Sequence, residues 1–264
     1  MNDVLKINSN KTITITGETI DALLFHFKAL QSDGSTVCAI ADLNKISVEA
    51  KVIRRGRTVP QFIFNGFLDD ILAVQTANST RDEVFREARS DGYTIAISLG
   101  GVLRLGVGDK LQVKCKVQNT SFTSLSTTHS EVEFETVPSN GMPSVLNIVE
   151  MIPYEVGTTN VDENLGNNIT KIVLCHDFTT HYDNSSKAKP VSGINLTATG
   201  FNKDVSENQV VLENNMAIQY SPSSNVKHLC IYDGKPISNA KLRASLNTGV
   251  DADAKIMVLK KMAV

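Results

Sequence analysis

Apolar residues recur in this chain mostly at every second position. In "TITIT" (residues 12–16), Ile13 and Ile15 face one way and the threonines the other. "KISVEAKVI" sets Ile46, Val48, Ala50 and Val52 against Lys45, Ser47, Glu49 and Lys51. "EVEFETV" repeats the pattern with Val132, Phe134 and Thr136. A period of two with one wet face predicts antiparallel strands. "LLFHF" and "TIAISL" are denser in apolar residues and predict strands buried on both sides. One segment breaks the rhythm. In "STRDEVFREARSDG", Thr80 is placed as an N-cap with Glu83 at capping-box spacing. Val84, Phe85 and Ala88 share a helical face, and Gly92 lies past the end. This predicts a helix over about 81–90, the longest in the chain.

Pro138, Asn140, Gly141 and Pro143 interrupt the pattern near the middle. Each side opens with a strand, passes through polar loops and includes a charged alternating strand, "KLQVKCKVQ" in the first and "AKIMVLKKMAV" in the second. The expected organisation is two copies of one β fold, residues 1–140 and 141–264, each long enough for about eight strands. Residues 153–168 and 179–189 read as loops.

The glycine-rich stretch "LGGVLRLGVGDKLQVKCKVQ" (residues 99–118) has two readings, a phosphate cradle or a β turn. A Walker-type loop fails because Val107 stands where the lysine belongs. The dinucleotide pattern fails because Leu111 stands at the third glycine. Residues 110–117 alternate strictly, with Leu111, Val113, Cys115 and Val117 on one side and Lys110, Gln112, Lys114 and Lys116 on the other. The stretch therefore predicts a hairpin, with residues 106–109 supplying positive φ angles.

Composition narrows function mainly by exclusion. Of the 264 residues 41% are apolar, ample for a core, and Thr, Ser, Asn and Val usage favours strands and turns. The net charge of −2 gives no global field to draw nucleic acid or acidic lipid. Without tryptophan, a stacking site for sugars or bases is disfavoured. The N-terminus lacks a signal-peptide pattern, and no apolar run reaches the roughly 20 residues of a membrane span. Cys38, Cys115, Cys175 and Cys230 are far apart, with no CxxC, and read as reduced, buried thiols.

Several clusters invite chemistry. "CHDFTTHYD" gathers Cys175, His176, Asp177, His181 and Asp183, and "HLC" adds His228 and Cys230. Zinc takes such ligands, but adjacent Cys175 and His176 would face opposite sides of a strand, so a buried cysteine beside loop histidines is the favoured reading. No GxSxG elbow is present, and no catalytic residues are assigned. Asp162, Glu163 and Asn164 of "DENLGNN" are the candidate calcium ligands, with "DADA" (residues 251–254) beside them. Neither follows the calcium-loop pattern, and a solvated turn is the favoured alternative. "KVIRRGR" clusters Lys51, Arg54, Arg55 and Arg57, which reads as a phosphate or headgroup contact or as a charged strand end turning at Gly56.

The opening strand "KTITITGETIDALLFHF", the helix "TRDEVFREA", the strand pair around "LRLGVGDKLQVKCKV" and the break at 138–143 together resemble a double jelly-roll major capsid protein. The nearest kind is that of tailless, membrane-containing, corticovirus-like icosahedral bacteriophages. The resemblance implies an all-β fold of two consecutive eight-stranded jelly rolls with one short loop helix. It implies homotrimers, pseudo-hexameric in outline, that tile a shell over an inner membrane in the virion, after assembly in the host cytoplasm. The partners it implies are further copies of the chain and other capsid or membrane-associated virion proteins, with no specific nucleic acid. It transfers no catalytic residue. The competing readings are a phage spike or adhesin that binds a receptor or glycan, and a cupin-type jelly-roll enzyme. The scattered His26, His129, His176, His181 and His228, with no HxH pair, speak against the cupin.

Overall fold

The computed structural model describes residues 3–40, 43–76, 86–155, 157–175, 191–206, 209, 228–246 and 255–263. Contacts divide the chain into two compact units. One comprises Met1–Leu72, Arg81–Ile148 and Met262–Val264, the other Ala73–Thr80 and Val149–Lys261. Along the chain they meet between Ile148 and Val149, eight residues beyond the expected 140/141.

The alternating segments of the first unit form strands β1 (Asp3–Lys6), β2 (Thr12–Ile15), β3 (Thr19–Lys28), β4 (Ile46–Ile53), β5 (Gln61–Phe67), β6 (Arg86–Arg89), β7 (Gly92–Arg104), β8 (Lys110–Val117) and β9 (Glu131–Pro138). They lie in a five-stranded sheet, β1-β9-β3-β7-β6, and a four-stranded sheet, β2-β8-β4-β5. Every pairing in the two sheets is antiparallel. Ile46, Val48, Ala50 and Val52 are buried, as are Leu111, Val113, Cys115 and Val117. Strict alternation therefore marks the strands with one buried face. Phe25, Phe27, Phe64 and Phe134 are fully buried, and each such ring contributes about 1.5–3 kcal/mol through the apolar area it removes from water.

The second unit holds β10 (Leu146–Pro153), β11 (Asn160–Gly166), β12 (Ile169–Cys175), β13 (Val191–Ala198), β14 (Phe201–Val205), β15 (His228–Ile237), β16 (Ala240–Leu246) and β17 (Lys255–Met262). Its sheets run β10-β17-β12-β15 and β11-β16-β13-β14. Its core is aliphatic, with Ile172, Ile194, Leu196, Leu242, Ile256 and Val258 at the centre.

With β6 set aside, the eight strands of the first unit follow the order 1-8-3-6 and 2-7-4-5, and those of the second unit follow the same order. That crossing pattern is the jelly roll, so the chain has an all-β, double jelly-roll fold. Successive strands reverse direction, so their connections alternate between two ends of each sandwich. At one end of the first unit the connections are long (29–45, 68–91 and 118–130, with 7–11 shorter); at the other they are turns (16–18, 54–60 and 105–109). The second unit repeats this asymmetry, with turns at 167–168, 199–200 and 238–239.

Four sequence expectations need correction. The helix is α1 (Leu68–Thr76), not 81–90. Leu68, Ile71 and Val74 recur every third residue and are buried, and Asp69 and Asp70 complement the positive end of the helix. Residues 86–89 of the expected helix form β6, which pairs with β7, and 81–85 lie outside the described residues. Residues 99–118 do not make a hairpin: β7 pairs with β3 and β6, and β8 with β2 and β4, so the turn carries the chain from one sheet to the other. The expected loop at 153–168 contains β11, whose Val161 and Leu165 reach the core. Strand β17 is not one-sided, because Met257 and Leu259 are buried as well as Ile256 and Val258. The other expected loop, 179–189, lies outside the described residues.

Candidate assembly and contact surfaces

The glycines of residues 99–118 serve two kinds of close approach. Among the described strands, β6 pairs with β7 only from Gly92 to Ile95 on the edge away from β3. Farther along, the segment leading into β10 lies against Gly100 to Val102. The Ser144 N–H donates to the Val102 carbonyl (3.1 Å), and the Val102 N–H donates to the Ser144 hydroxyl (2.8 Å). A Cβ on Gly101 would lie 2.1 Å from the Val145 carbonyl oxygen, and one on Gly100 would lie 2.0 Å from the Asn147 amide nitrogen. The pair of glycines lets this segment lie directly on the strand. Gly108 serves the turn, at φ +90.

Asp109 locks that turn to the loop between β4 and β5. Its carboxylate accepts from the Arg55 N–H (2.8 Å), the Arg54 guanidinium (2.6 Å) and the Gly106 N–H (3.1 Å). The Arg54 guanidinium also donates to the Arg104 carbonyl (2.8 Å). The Arg55 N–H, then the Arg54 guanidinium, hold the Asp109 carboxyl below the usual carboxylate range. A depressed folded pKa adds stability above the ordinary carboxylate pKa of about 4 and loses it as pH falls through the folded value. Asp109→Ala is expected to cost about 1–2 kcal/mol at pH 7, with the difference from wild type shrinking in acid. Urea titrations at pH 7 and pH 3 check this; an equal difference at both values contradicts it.

The outward faces of the first unit's two sheets differ in charge. On the four-stranded sheet, Glu49 stands opposite Lys114, and Lys51, two residues farther along β4, lies 5.5 Å from the Phe62 ring centroid and 2.9 Å from Glu49. Phe62 and Phe67 are exposed on β5, an edge strand of that sheet. On the five-stranded sheet, Glu131, Glu133 and Glu135 succeed one another along β9. Both faces mix polar and apolar groups.

The candidate calcium residues lie on β11. Asp162 is exposed and paired with Lys241 (2.7 Å) and Arg243 (3.6 Å) across β16. The Lys241 hydrogen bond is the main reason its carboxyl sits below the usual range. Glu163, the next residue along the strand, faces the other way. Among the described residues, no three His, Cys, Asp or Glu side chains gather as a metal centre. His176, Asp177, His181, Asp183 and residues 251–254 lie outside the described residues. Cys175 and His228 stand opposite each other at the ends of β12 and β15. Cys38, Cys115 and Cys230 are buried. Burial pushes Cys115 and Cys230 up to about 12. Among the described residues, no helix is long and apolar enough to cross a membrane.

Comparison with known proteins places the fold. No family model matches the chain, and no curated protein matches it. Among solved structures, the major capsid protein P2 of bacteriophage PM2 aligns over 100% of this chain and 98% of its own, at 13% identity and a TM-score of 0.53. A chain from the Sulfolobus Turreted Icosahedral Virus structure aligns over 99% of this chain and 88% of its own, at 13% identity and a TM-score of 0.56. Peptide N-glycanase F aligns at a TM-score of only 0.34, too low to bear on the fold.

Proposed function

We propose that the chain is a structural viral capsid protein and not an enzyme. In this reading it self-associates as a homotrimer, with two jelly rolls per chain placing six barrels around a three-fold axis. Such pseudo-hexameric blocks tile an icosahedral shell, and the protein's place is the virion, after assembly in the host cytoplasm. Other capsid or membrane-associated virion proteins are further partners. The observation that carries the reading is the repeated strand order in both units, aligned end to end with the major capsid protein of a bacteriophage. A ring of barrels requires heterologous contacts, in which unlike faces of one barrel meet. The lysine-bearing and glutamate-bearing faces of the first unit supply unlike faces.

Sedimentation equilibrium of the full chain tests the reading. A trimer is the expected species; a specific interface between subunits buries roughly 1,200–2,000 Å² in total. A monomer at high micromolar concentration overturns it and favours a spike or adhesin. Calcium and chelator are expected to leave the trimer unchanged, since Lys241 already holds Asp162. Dissociation by chelator would restore calcium as a ligand.

A further inference from the structure

Five Asx–Gly steps occur in the chain: Asp33–Gly34, Asn65–Gly66, Asp91–Gly92, Asn140–Gly141 and Asp233–Gly234. At such a step the glycine nitrogen can reach the preceding side-chain carbonyl carbon, because no Cβ stands in its way. Closing that five-membered imide ring needs an Asx backbone free to turn and a side chain with a good leaving group. The fold restrains four of the steps. Asn65 and Gly66 lie inside β5, opposite Glu49 and Val48 of β4, and the ladder holds them extended. The Thr36 hydroxyl, then the Ser35 and Thr36 N–H groups, hold the Asp33 carboxyl well below the usual carboxylate range. It therefore stays a carboxylate, which is a poor electrophile. Asp91 lies 3.2 Å from the His26 ring, and Gly92 is paired with Lys28 of β3 and Arg89 of β6. Asp233 and Gly234 lie inside β15, and Asp233 is paired with Lys171 (3.2 Å).

Asn140–Gly141 differs on both counts. It lies between β9 and β10, outside any strand, and both residues are exposed. Among the described residues, the Asn140 carboxamide has no hydrogen-bond partner. The Gly141 N–H donates to the Ser139 hydroxyl (3.2 Å), a side chain that can rotate away, and not to a ladder carbonyl. We propose that Asn140 is a self-modification site, at which the folded chain deamidates through a succinimide. The Gly141 nitrogen attacks Asn140 Cγ. The new N–Cγ bond forms as the Cγ–Nδ2 bond breaks, and ammonia leaves with the proton that Gly141 gives up. Water then opens the ring at either carbonyl and leaves aspartate or isoaspartate. Each event adds one negative charge, and isoaspartate also adds one atom to the backbone. The Ser139 N–H is bonded to the Thr19 carbonyl (2.8 Å) and the Ser144 N–H to the Val102 carbonyl (3.1 Å). These ties confine the change to residues 140–143 and leave β9 and β10 in place.

The test incubates the full chain at pH 8, folded in buffer and unfolded in urea, and follows both Asn–Gly peptides by mass spectrometry after digestion in acid. In urea, Asn65 and Asn140 should convert at similar rates. In the folded chain Asn140 should keep converting, while Asn65 should be roughly tenfold slower or more, because it waits for β5 to open. A methyltransferase specific for isoaspartate should label the folded chain in the Asn140 peptide. Asn140→Gln should abolish that label, since the longer side chain closes a six-membered ring far more slowly. The variant should keep the wild-type urea midpoint, because the substitution is at an exposed position. The proposal is overturned if Asn140 stays intact in the folded chain over the time in which both sites convert in urea. Equal rates at Asn65 and Asn140 in the folded chain, or a label that survives Asn140→Gln, overturn it too.

Discussion

Gly92→Ala is expected to lose most of the stability of the first unit. Gly92 opens β7 and pairs with Lys28 of β3. A Cβ there would lie 1.9 Å from the Phe27 carbonyl oxygen and 2.9 Å from the Ala29 nitrogen. Both are backbone atoms at the end of the sheet's central strand, so no side chain can rotate away. The Ala29 N–H is also bonded to the Asp91 carbonyl (3.0 Å), and the Ala29 carbonyl accepts from the Cys38 N–H (2.8 Å). Making room means parting β7 from β3, which breaks ladder bonds and opens the site around Phe27. Overpacking usually costs about 1–3 kcal/mol; a clash between two backbones raises the expectation to about 3–5 kcal/mol. Gly200→Ala is the control. Gly200 has φ +69 and nothing within 4 Å of an added Cβ, so only backbone strain of about 1 kcal/mol applies. Urea midpoints by far-ultraviolet circular dichroism compare the two. If Gly92→Ala shifts the midpoint no more than Gly200→Ala, the close-approach argument is wrong.

Gly92 also shows why part of the fold is legible in the sequence and part is not. Local helix rules place it just past a helix, because Thr80, Glu83, Val84, Phe85 and Ala88 satisfy them. Residues 86–89 instead gain β-ladder bonds to β7, a long-range gain that local spacing cannot register. The true helix has its own signal in Leu68, Ile71 and Val74 with Asp69 and Asp70 near its start, but it directly succeeds a strand and has no capping residue to announce it. One-sided strands such as β4 and β8 are readable because period two with a wet face is unambiguous. Strand β11 is hidden because Asn160, Asp162, Asn164 and Gly166 are turn-forming residues; only Val161 and Leu165, four apart, betray its buried side.

Of the candidate surfaces, the sequence shows the parts and not their assembly. "KVIRRGR" stands out as a basic cluster, and residues 99–118 as a glycine-rich turn. That Asp109 ties the two together depends on β4 and β8 pairing in one sheet, where Ile53 stands opposite Lys110. The glycine pair at 100 and 101 carries no sign that another segment lies on it, because the partner residues, Val145 and Asn147, are more than forty positions away.

Phe134→Ala is expected to be the most damaging truncation in the first unit's core. Phe134 stands opposite Phe25 in the register between β9 and β3, with Asp3 of β1 on its other side. Its ring meets Phe25 edge to face at 5.3 Å, and Phe25 stacks on Phe27 at 6.3 Å. All three rings are fully buried, so removing one leaves a void that the other two, held on adjacent pleats of a paired sheet, cannot fill by a small shift. The expected cost is about 3–5 kcal/mol, the usual range for a buried phenylalanine cut to alanine. Phe62→Ala removes the same side chain from the exposed face of β5, where it leaves no void, and should cost under about 1 kcal/mol. Assembly should separate the two in the opposite sense. If the proposed trimer uses the β5 face, Phe62→Ala lowers association while the fold persists, whereas Phe134→Ala loses the fold itself. Urea midpoints and sedimentation on both variants decide this. Equal midpoint shifts would refute the packing argument, and full trimer from Phe62→Ala would remove the β5 face from the subunit contact.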